Sequence, residues 1–382
     1  MILRNYKYPF VLLQGVLSCC VAGLIHADPT DERHGAVHED ITRAVDFEGG
    51  ITVTAQHADD SAVDDELFGS LDLVATVPAG PGEILLYVEG NSTPRKNGVA
   101  SVIGEANGDA GSALDEDDNG RLQVSELHYT QGVGPGKITL GLLDVTGFLD
   151  TNAVANDETT QFLGTSFVIN PTIEFPDYTL GGVYHQELAE ATSLSFVLTS
   201  SNGLGDNPER SYSELTDVGE DGKGVFTAVE GGFPLAGTQI GLGAWLSTAD
   251  HDRLDGTATD EDNYGVYSNI DFAVGDVQMN VRLGLADDTV SQADTFIGVA
   301  AEIPTSLAPL GVAIGQIGLA DDAQAPGLDD ITQAEAYLRF ELSEPFQITP
   351  SVQWISNTGF DSSDTVLDED QIIYSLRANY TF

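Results

Sequence analysis

The 382-residue chain carries 61 acidic against 14 basic residues, a formal net charge of −47, and an acidic surface of that kind excludes nucleic acid as a partner because it repels a phosphate backbone. Forty-two glycines, 12 tyrosines and 16 phenylalanines stand beside only two methionines, two tryptophans and two cysteines. That composition belongs to many short strands and turns in one large β domain rather than to packed helices.

At the N-terminus Arg4 and Lys7 precede an apolar stretch from Phe10 to Ile25, then His26 and Ala27, after which an acidic segment begins at Asp28. This order predicts a secretory signal peptide over 1–27, cut after Ala27, and a periplasmic segment over 28–45. The apolar run is short for a retained membrane anchor, and Leu17 is bulky for a lipid attachment at Cys19. Cys19 and Cys20 are the only cysteines, so the mature chain has no disulfide framework. The segment carries two basic and no acidic residues, which turns −47 into −49.

From Phe47 onward apolar residues recur at every second position. The alternation predicts strands near 46–57, 66–77, 83–91, 121–132, 137–147, 178–188, 191–201 and 224–233, then near 238–248, 263–274, 276–286, 293–303, 311–319, 333–342, 346–357 and 372–382. Sixteen is an even number, as a bacterial barrel with both termini on one side requires. The connections alternate in length. Short ones lie at Pro78 to Gly82, Gly134 to Gly136, Ala189 to Ala191, Pro234 to Gly237, Gly275, Pro304 to Pro309 and Ser343 to Pro345. Long ones lie at 92–120, 149–177, 202–223, 249–262 and 358–371, with shorter acidic ones at 58–65, 287–292 and 320–332. Short periplasmic turns and long external loops follow one another in this order in membrane barrels, and a soluble sandwich has no reason to show it. The expectation is an all-β, transmembrane antiparallel β-barrel over 46–382 in the outer membrane, with an inward-folded third loop.

Between the third and fourth strands, Asp115, Asp117, Asn119, Gly120, Arg121 and Glu126 match the twelve-residue calcium-loop string, with Arg121 offering its carbonyl and Glu126 a bidentate carboxylate. The residues before it are glycine-rich and those after it begin a strand, which is the wrong context for an EF-hand. No cofactor is required by this reading, and calcium is the one the sequence suggests.

The connection 149–177 is unusually apolar for a water-facing loop, with Phe162, Leu163, Phe167, Val168, Ile169, Ile173 and Phe175. It is expected to pack against the inner wall and to narrow the lumen. Asp157, Glu158, Gln161, Asn170 and Glu174 are its candidate pore-lining groups. On the wall, parity with the lipid-facing residues turns Arg282, Glu335, Tyr337, Arg339, Gln353 and Arg377 inward. In the last strand Ile372, Tyr374, Leu376, Ala378, Tyr380 and Phe382 form the lipid face and Ile373, Ser375, Arg377, Asn379 and Thr381 the wet one.

Glu335-Ala336-Tyr337-Leu338-Arg339-Phe340, Ile348-Thr349-Pro350, Gln353-Trp354-Ile355 with Asn357, and Leu376-Arg377 resemble the closing segment of the carbohydrate-selective porin family of OprB type. Gly141 to Asp144, Gln161-Phe162-Leu163 through Phe167, Asn170-Pro171 and Phe175-Pro176 resemble that family's third loop and the strand before it. The resemblance implies a passive outer-membrane pore for sugars. Arg339, Gln353, Glu335 and Tyr337 would supply the bidentate polar groups and the ring that a flat, hydroxyl-rich solute needs. The acidic balance points instead to a general cation-preferring porin, and a structural or adhesive surface barrel is the third reading. An enzyme is not expected, since His128 and His185 lie in strands with no nucleophile motif beside them. The expected partners are sugars or cations in transit, outer-membrane lipid and lipopolysaccharide, further copies in a homotrimer, and the barrel-assembly machinery through the closing strand.

Overall fold

The computed structural model describes residues 45–189, 191–207, 209–219, 222–323, 329–357 and 370–382. The expected signal peptide, nearly all of the 28–45 segment and most of the 358–371 loop lie outside them.

Period-two alternation becomes a closed 16-strand antiparallel barrel. The first strand, Asp46–Ala58, pairs with both the second, Glu66–Ala79, and the last, Asp370–Thr381, so the ring keeps no free edge. The fourteenth strand runs as Ile331–Leu338 and Phe340–Ser343, interrupted at Arg339, and both pieces pair with Phe346–Ser356. No helix among the described residues is long and apolar enough to cross a membrane. The fifth strand, Gly136–Leu143, stops four residues short of the expected end. There the Asp144 carboxylate accepts from Thr146 N and its hydroxyl at 3.0 and 2.7 Å and turns the chain out of the ladder.

The two faces sort as the parity predicts. In the first strand Ile51 and Val53 are exposed while Thr52, Thr54 and Gln56 are buried. In the last, Tyr374, Leu376 and Tyr380 are exposed while Gln371, Ser375, Arg377 and Asn379 are buried. Thr54 faces Arg377 and Val53 faces Ala378 across the seam, so each face continues from strand to strand. Around the ring Leu140, Phe196, Leu198, Leu242, Val266, Leu285, Ile297 and Ile314 continue the apolar band. A basic residue in that band would cost about 2–4 kcal/mol at the bilayer midplane. The turn after Val225–Leu235 places Ala236 and Gly237 at φ 54° and 87°, the pair of left-handed residues that a two-residue hairpin of matching twist demands.

The core lies inside the barrel, and it is made of connections. In 144–178, Leu149, Val168, Ile169, Ile173 and Phe175 pack on Val183, Val197, Phe226, Ala228, Trp245 and Tyr267 of the wall. Farther along it Val154, Phe162 and Phe167 pack on Ala300, Ala313 and Tyr337. The third-loop expectation is met, and a second connection joins it. Val99, Val102, Ile103 and Ala106 of 92–121 fill the lumen beside Phe296, Ile317, Ile331, Ile355 and Ile373. Leu204 and Leu215 of 201–224 add a third contact, on Tyr87, Leu142 and Tyr178. Each such side chain contributes about 1.5–3 kcal/mol when fully buried, so these connections are held as firmly as a domain core.

Candidate functional site

All six wall residues singled out above point inward and converge on the inward connections. Arg282 donates to the carbonyls of Phe167 and Asp150 at 2.8 and 3.0 Å, and its Nε stands 2.9 Å from the Asp150 carboxylate. Glu335 accepts from the amides of Leu163 and Gly164 at 3.0 and 2.8 Å. Tyr337 meets Phe162 edge-on at 5.0 Å and donates to Glu302 at 2.8 Å. Arg339 donates to Thr160 O at 3.1 Å and pairs with Glu302 at 2.9 Å. Gln353 donates to Ala106 O at 3.0 Å, and Arg377 to the carbonyls of Glu158 and Gln161. Guanidinium forks meeting pairs of carbonyls fix position and orientation together. These side chains therefore form the seat of the constriction.

The loop-side candidates also hold the loop in shape. Asp157 accepts from Thr159 and Thr160 between 2.7 and 3.1 Å, closing a turn. Gln161 accepts from Asn156 N at 2.8 Å and donates to Ala153 O at 3.0 Å. Asn170 donates to Leu283 O at 3.1 Å and accepts from the Thr172 hydroxyl at 2.8 Å. Glu174 is tied to the wall by Ser247, His251 and Asn263 at 3.0, 2.9 and 2.7 Å. Glu158 differs, because its buried Oε2 has no hydrogen-bond partner. Burial first, then the charges of Asp157, Asp109 and Asp72, pushes its carboxyl well above the usual carboxylate range.

The two inward connections are joined to each other. Gly108 N donates to Leu163 O at 2.6 Å and the Thr165 hydroxyl to Gly104 O at 3.0 Å. Gln333 bridges them, donating to Glu105 O at 2.7 Å and accepting from the Ser166 hydroxyl at 2.6 Å. Nearby around the ring, Gln56 donates to Ala106 O and accepts from Asn107 at 3.2 and 2.8 Å, and Ser70 donates to Asp109 at 2.7 Å. Burial raises the Asp109 carboxyl to about 6. The joined connections thus form a partition seated along one sector of the wall, on the neighbouring strands from the fourteenth through the last to the first and second. Sequence reasoning missed its 104–109 half; parity in the first strand does turn Gln56 inward, but nothing local says what it meets.

The calcium string is not gathered. The Asp115 carboxylate accepts from Asp117 N and Asn119 N at 3.0 and 2.7 Å as a self-contained turn. Arg121 sits at the loop's exit, its carbonyl accepting from Asn91 N at 3.0 Å. Glu126 belongs to the fourth strand, Leu122–Val133, where it accepts from Asp144 N at 3.2 Å. Among the described residues no group of three or more histidine, cysteine or acidic side chains could hold a metal ion. The register does bring Ser195 beside His185 at 3.0 Å, with Glu187 at 3.1 Å on the other ring nitrogen. Ser195 lies inside ladders on both sides, so no free backbone amide flanks it to hold an oxyanion.

A closed sixteen-strand barrel with an inward loop pinned to its wall is the architecture of an outer-membrane porin. The chain matches carbohydrate-selective porin, OprB family, over residues 86–382, and it belongs to that family. It is accordingly an outer-membrane porin for carbohydrates. Pseudomonas putida OprB, in its high-pH structure, is similar with a TM-score of 0.68 and 12% identity, covering 88% of this chain and 94% of that one. The trimer form of Vibrio cholerae OmpT is similar with a TM-score of 0.53 and 13% identity, over 89% and 99%. An uncharacterized protein of Aquifex aeolicus (strain VF5) is 38% identical over 82 residues, which is 22% of this chain and 26% of that one.

Proposed function

We propose that sugars crossing this pore are handled by the inward residues at the open edge of the partition, foremost the Arg339 and Glu302 pair, while Arg282, Glu335, Gln353 and Arg377 hold the partition in place. One observation carries this reading. The side chains of Arg339 and Glu302 keep 15% and 26% of their surface exposed, whereas Arg282 keeps 3%. A guanidinium and a carboxylate side by side offer donors and acceptors at the spacing of vicinal hydroxyls. Contacts partly open to water also stay weak enough to release the solute. Asp72 and Gln347, both inward by register and partly exposed, extend the polar surface.

The test is planar-bilayer recording with a panel of sugars. Glucose or maltose is expected to block part of the ion current of the wild-type protein, and Arg339→Ala to weaken that block by roughly tenfold, about the value of one charge-assisted hydrogen bond. Block of equal strength in the variant would move the solute contacts elsewhere. Indifference to every sugar together with a strong cation preference would favour the reading that rests on the net charge of −47. The partners proposed with this function are two further copies of the chain, outer-membrane lipid and lipopolysaccharide around the apolar band, and an assembly machinery that reads the closing strand. The support for the first is the trimer form of OmpT, and for the second the exposed outward leucines, valines and isoleucines.

A further inference from the structure

The connection 201–224 leaves the seventh strand, Thr192–Ser200, and returns as the eighth, Val225–Leu235. It is drawn down onto the other two. Leu204 and Leu215 are buried, and Leu204 N donates to Tyr178 O at 3.1 Å. Asp206 accepts from Asp177 N and Gly203 N at 3.0 and 2.8 Å. Tyr212 closes the far end, its hydroxyl accepting from Val124 N and donating to Val124 O at 2.8 and 2.9 Å.

Arg210 lies where the three connections meet. Its guanidinium donates to Ser112 O and Gly111 O, both at 3.1 Å, in the 92–121 connection. It stands 3.6 Å from the Asp177 carboxylate at the end of the 144–178 connection. The side chains of both partners are almost fully buried, at 9% and 4% exposure. The Arg210 backbone has φ 45°, in the left-handed region, which costs a residue with a side chain about 1–2 kcal/mol. A long side chain is kept in that conformation only where its contacts outweigh the strain.

The wall grips the 92–121 connection along 105–109, through Gln56, Ser70, Gln333 and Gln353. The stretch at 111–112 has a different set of holders: Arg210, Gln123, which donates to Ser112 O at 2.8 Å, and Asn91, whose side-chain amide is hydrogen-bonded to the Ser112 hydroxyl at 3.1 Å. We propose that Arg210 is a positioning residue that sets the width of the channel, by clasping the 92–121 half of the partition to the 144–178 half. The inference rests on the porin reading and adds a third connection to what defines the pore. One planar fork reaching two carbonyls beside a carboxylate is a task that a lysine, with a single ammonium, performs only in part.

The experiment uses the full barrel with Arg210→Gly and Arg210→Lys. Glycine adopts φ 45° without strain, so the first variant removes the guanidinium and relieves the backbone together. Folding is followed by the heat-dependent gel shift of the closed barrel. Arg210→Gly is expected to raise single-channel conductance roughly twofold and to speed entry of a trisaccharide into liposomes relative to a monosaccharide. Arg210→Lys should fall between it and the wild type. A folded Arg210→Gly barrel with wild-type conductance and the wild-type ratio of sugar rates overturns the proposal. Should that variant lack the folded band, the Arg210→Lys comparison decides in the same terms. A wild-type barrel that conducts nothing would sink the porin reading itself, and the control recording shows this before any variant is compared.

Discussion

Arg282 and Asp150 form a buried pair in which each side chain keeps only 3% of its surface exposed. Removing one partner of such a pair leaves the other desolvated and uncompensated, a loss of about 3–5 kcal/mol. That loss falls on the docking of the 144–178 connection, because the strand ladder on either side of Arg282 is formed by backbone groups. Arg282→Ala is therefore expected to keep the closed barrel's gel shift and to give noisy, multi-level openings in single-channel recording; quiet openings at one wild-type level would refute it. The direction of this arginine was legible, since alternation alone turns 282 inward. Its partners were not. Hydrogen-bond donors of a wall residue can meet water, a solute or a folded-in carbonyl, and sequence patterns do not distinguish the three. The same holds for Glu335, whose two amide donors come from residues 172 and 171 positions away.

Strands are the elements that announce themselves, because one face meets lipid and the other meets polar groups, and every position is sorted accordingly. The inward connections are sorted by a weaker rule. Seven large apolar residues betrayed 149–177, whereas 92–121 hides Val99, Val102 and Ile103 among polar neighbours and glycines. The strand before the constriction carries a finer constraint at Gly141. It has φ 146° and pairs with Gly181, and a Cβ there would lie 2.3 Å from Leu127 O and 2.7 Å from His128 Cα. Backbone atoms in a ladder cannot move aside. Gly141→Ala is expected to separate the fourth and fifth strands locally and to lower the yield of closed barrel on refolding; a wild-type yield would show that the wall can bend there.

Across the whole molecule the acidic balance acts inside as well as outside. Burial raises the Asp109 carboxyl to about 6 and those of Asp206 and Asp150 to about 7, each on a connection packed into the lumen and the last on 144–178 itself. An unfolded aspartate titrates near 4, so between pH about 4 and about 7 the packed connections hold more protons than the unfolded ones. Their packing is therefore most stable at the acid end and weakens as pH rises through that window. Trp245, 3% exposed and stacked on Phe226 at 6.1 Å, lies beneath the 144–178 connection and reports on it. With the lipid-facing Trp354 replaced by Phe, acrylamide quenching of Trp245 is expected to increase from pH about 4 to about 8, and a flat profile would contradict the assignment.

The contacts that seat the 144–178 connection join residues far apart in the chain. Arg282 reaches back 115 and 132 positions, Arg339 179, and Arg377 219 and 216. Contacts of such separation form after local ones, because the intervening chain must first be brought into a ring. Hairpins and wall can assemble while the connection is still incompletely seated, since Arg282, Glu335, Arg339 and Arg377, which grip it, arrive with the last third of the barrel. A ring closed before those grips are made would hold a wider channel than the finished one. Such a barrel would leak solutes the finished one turns away.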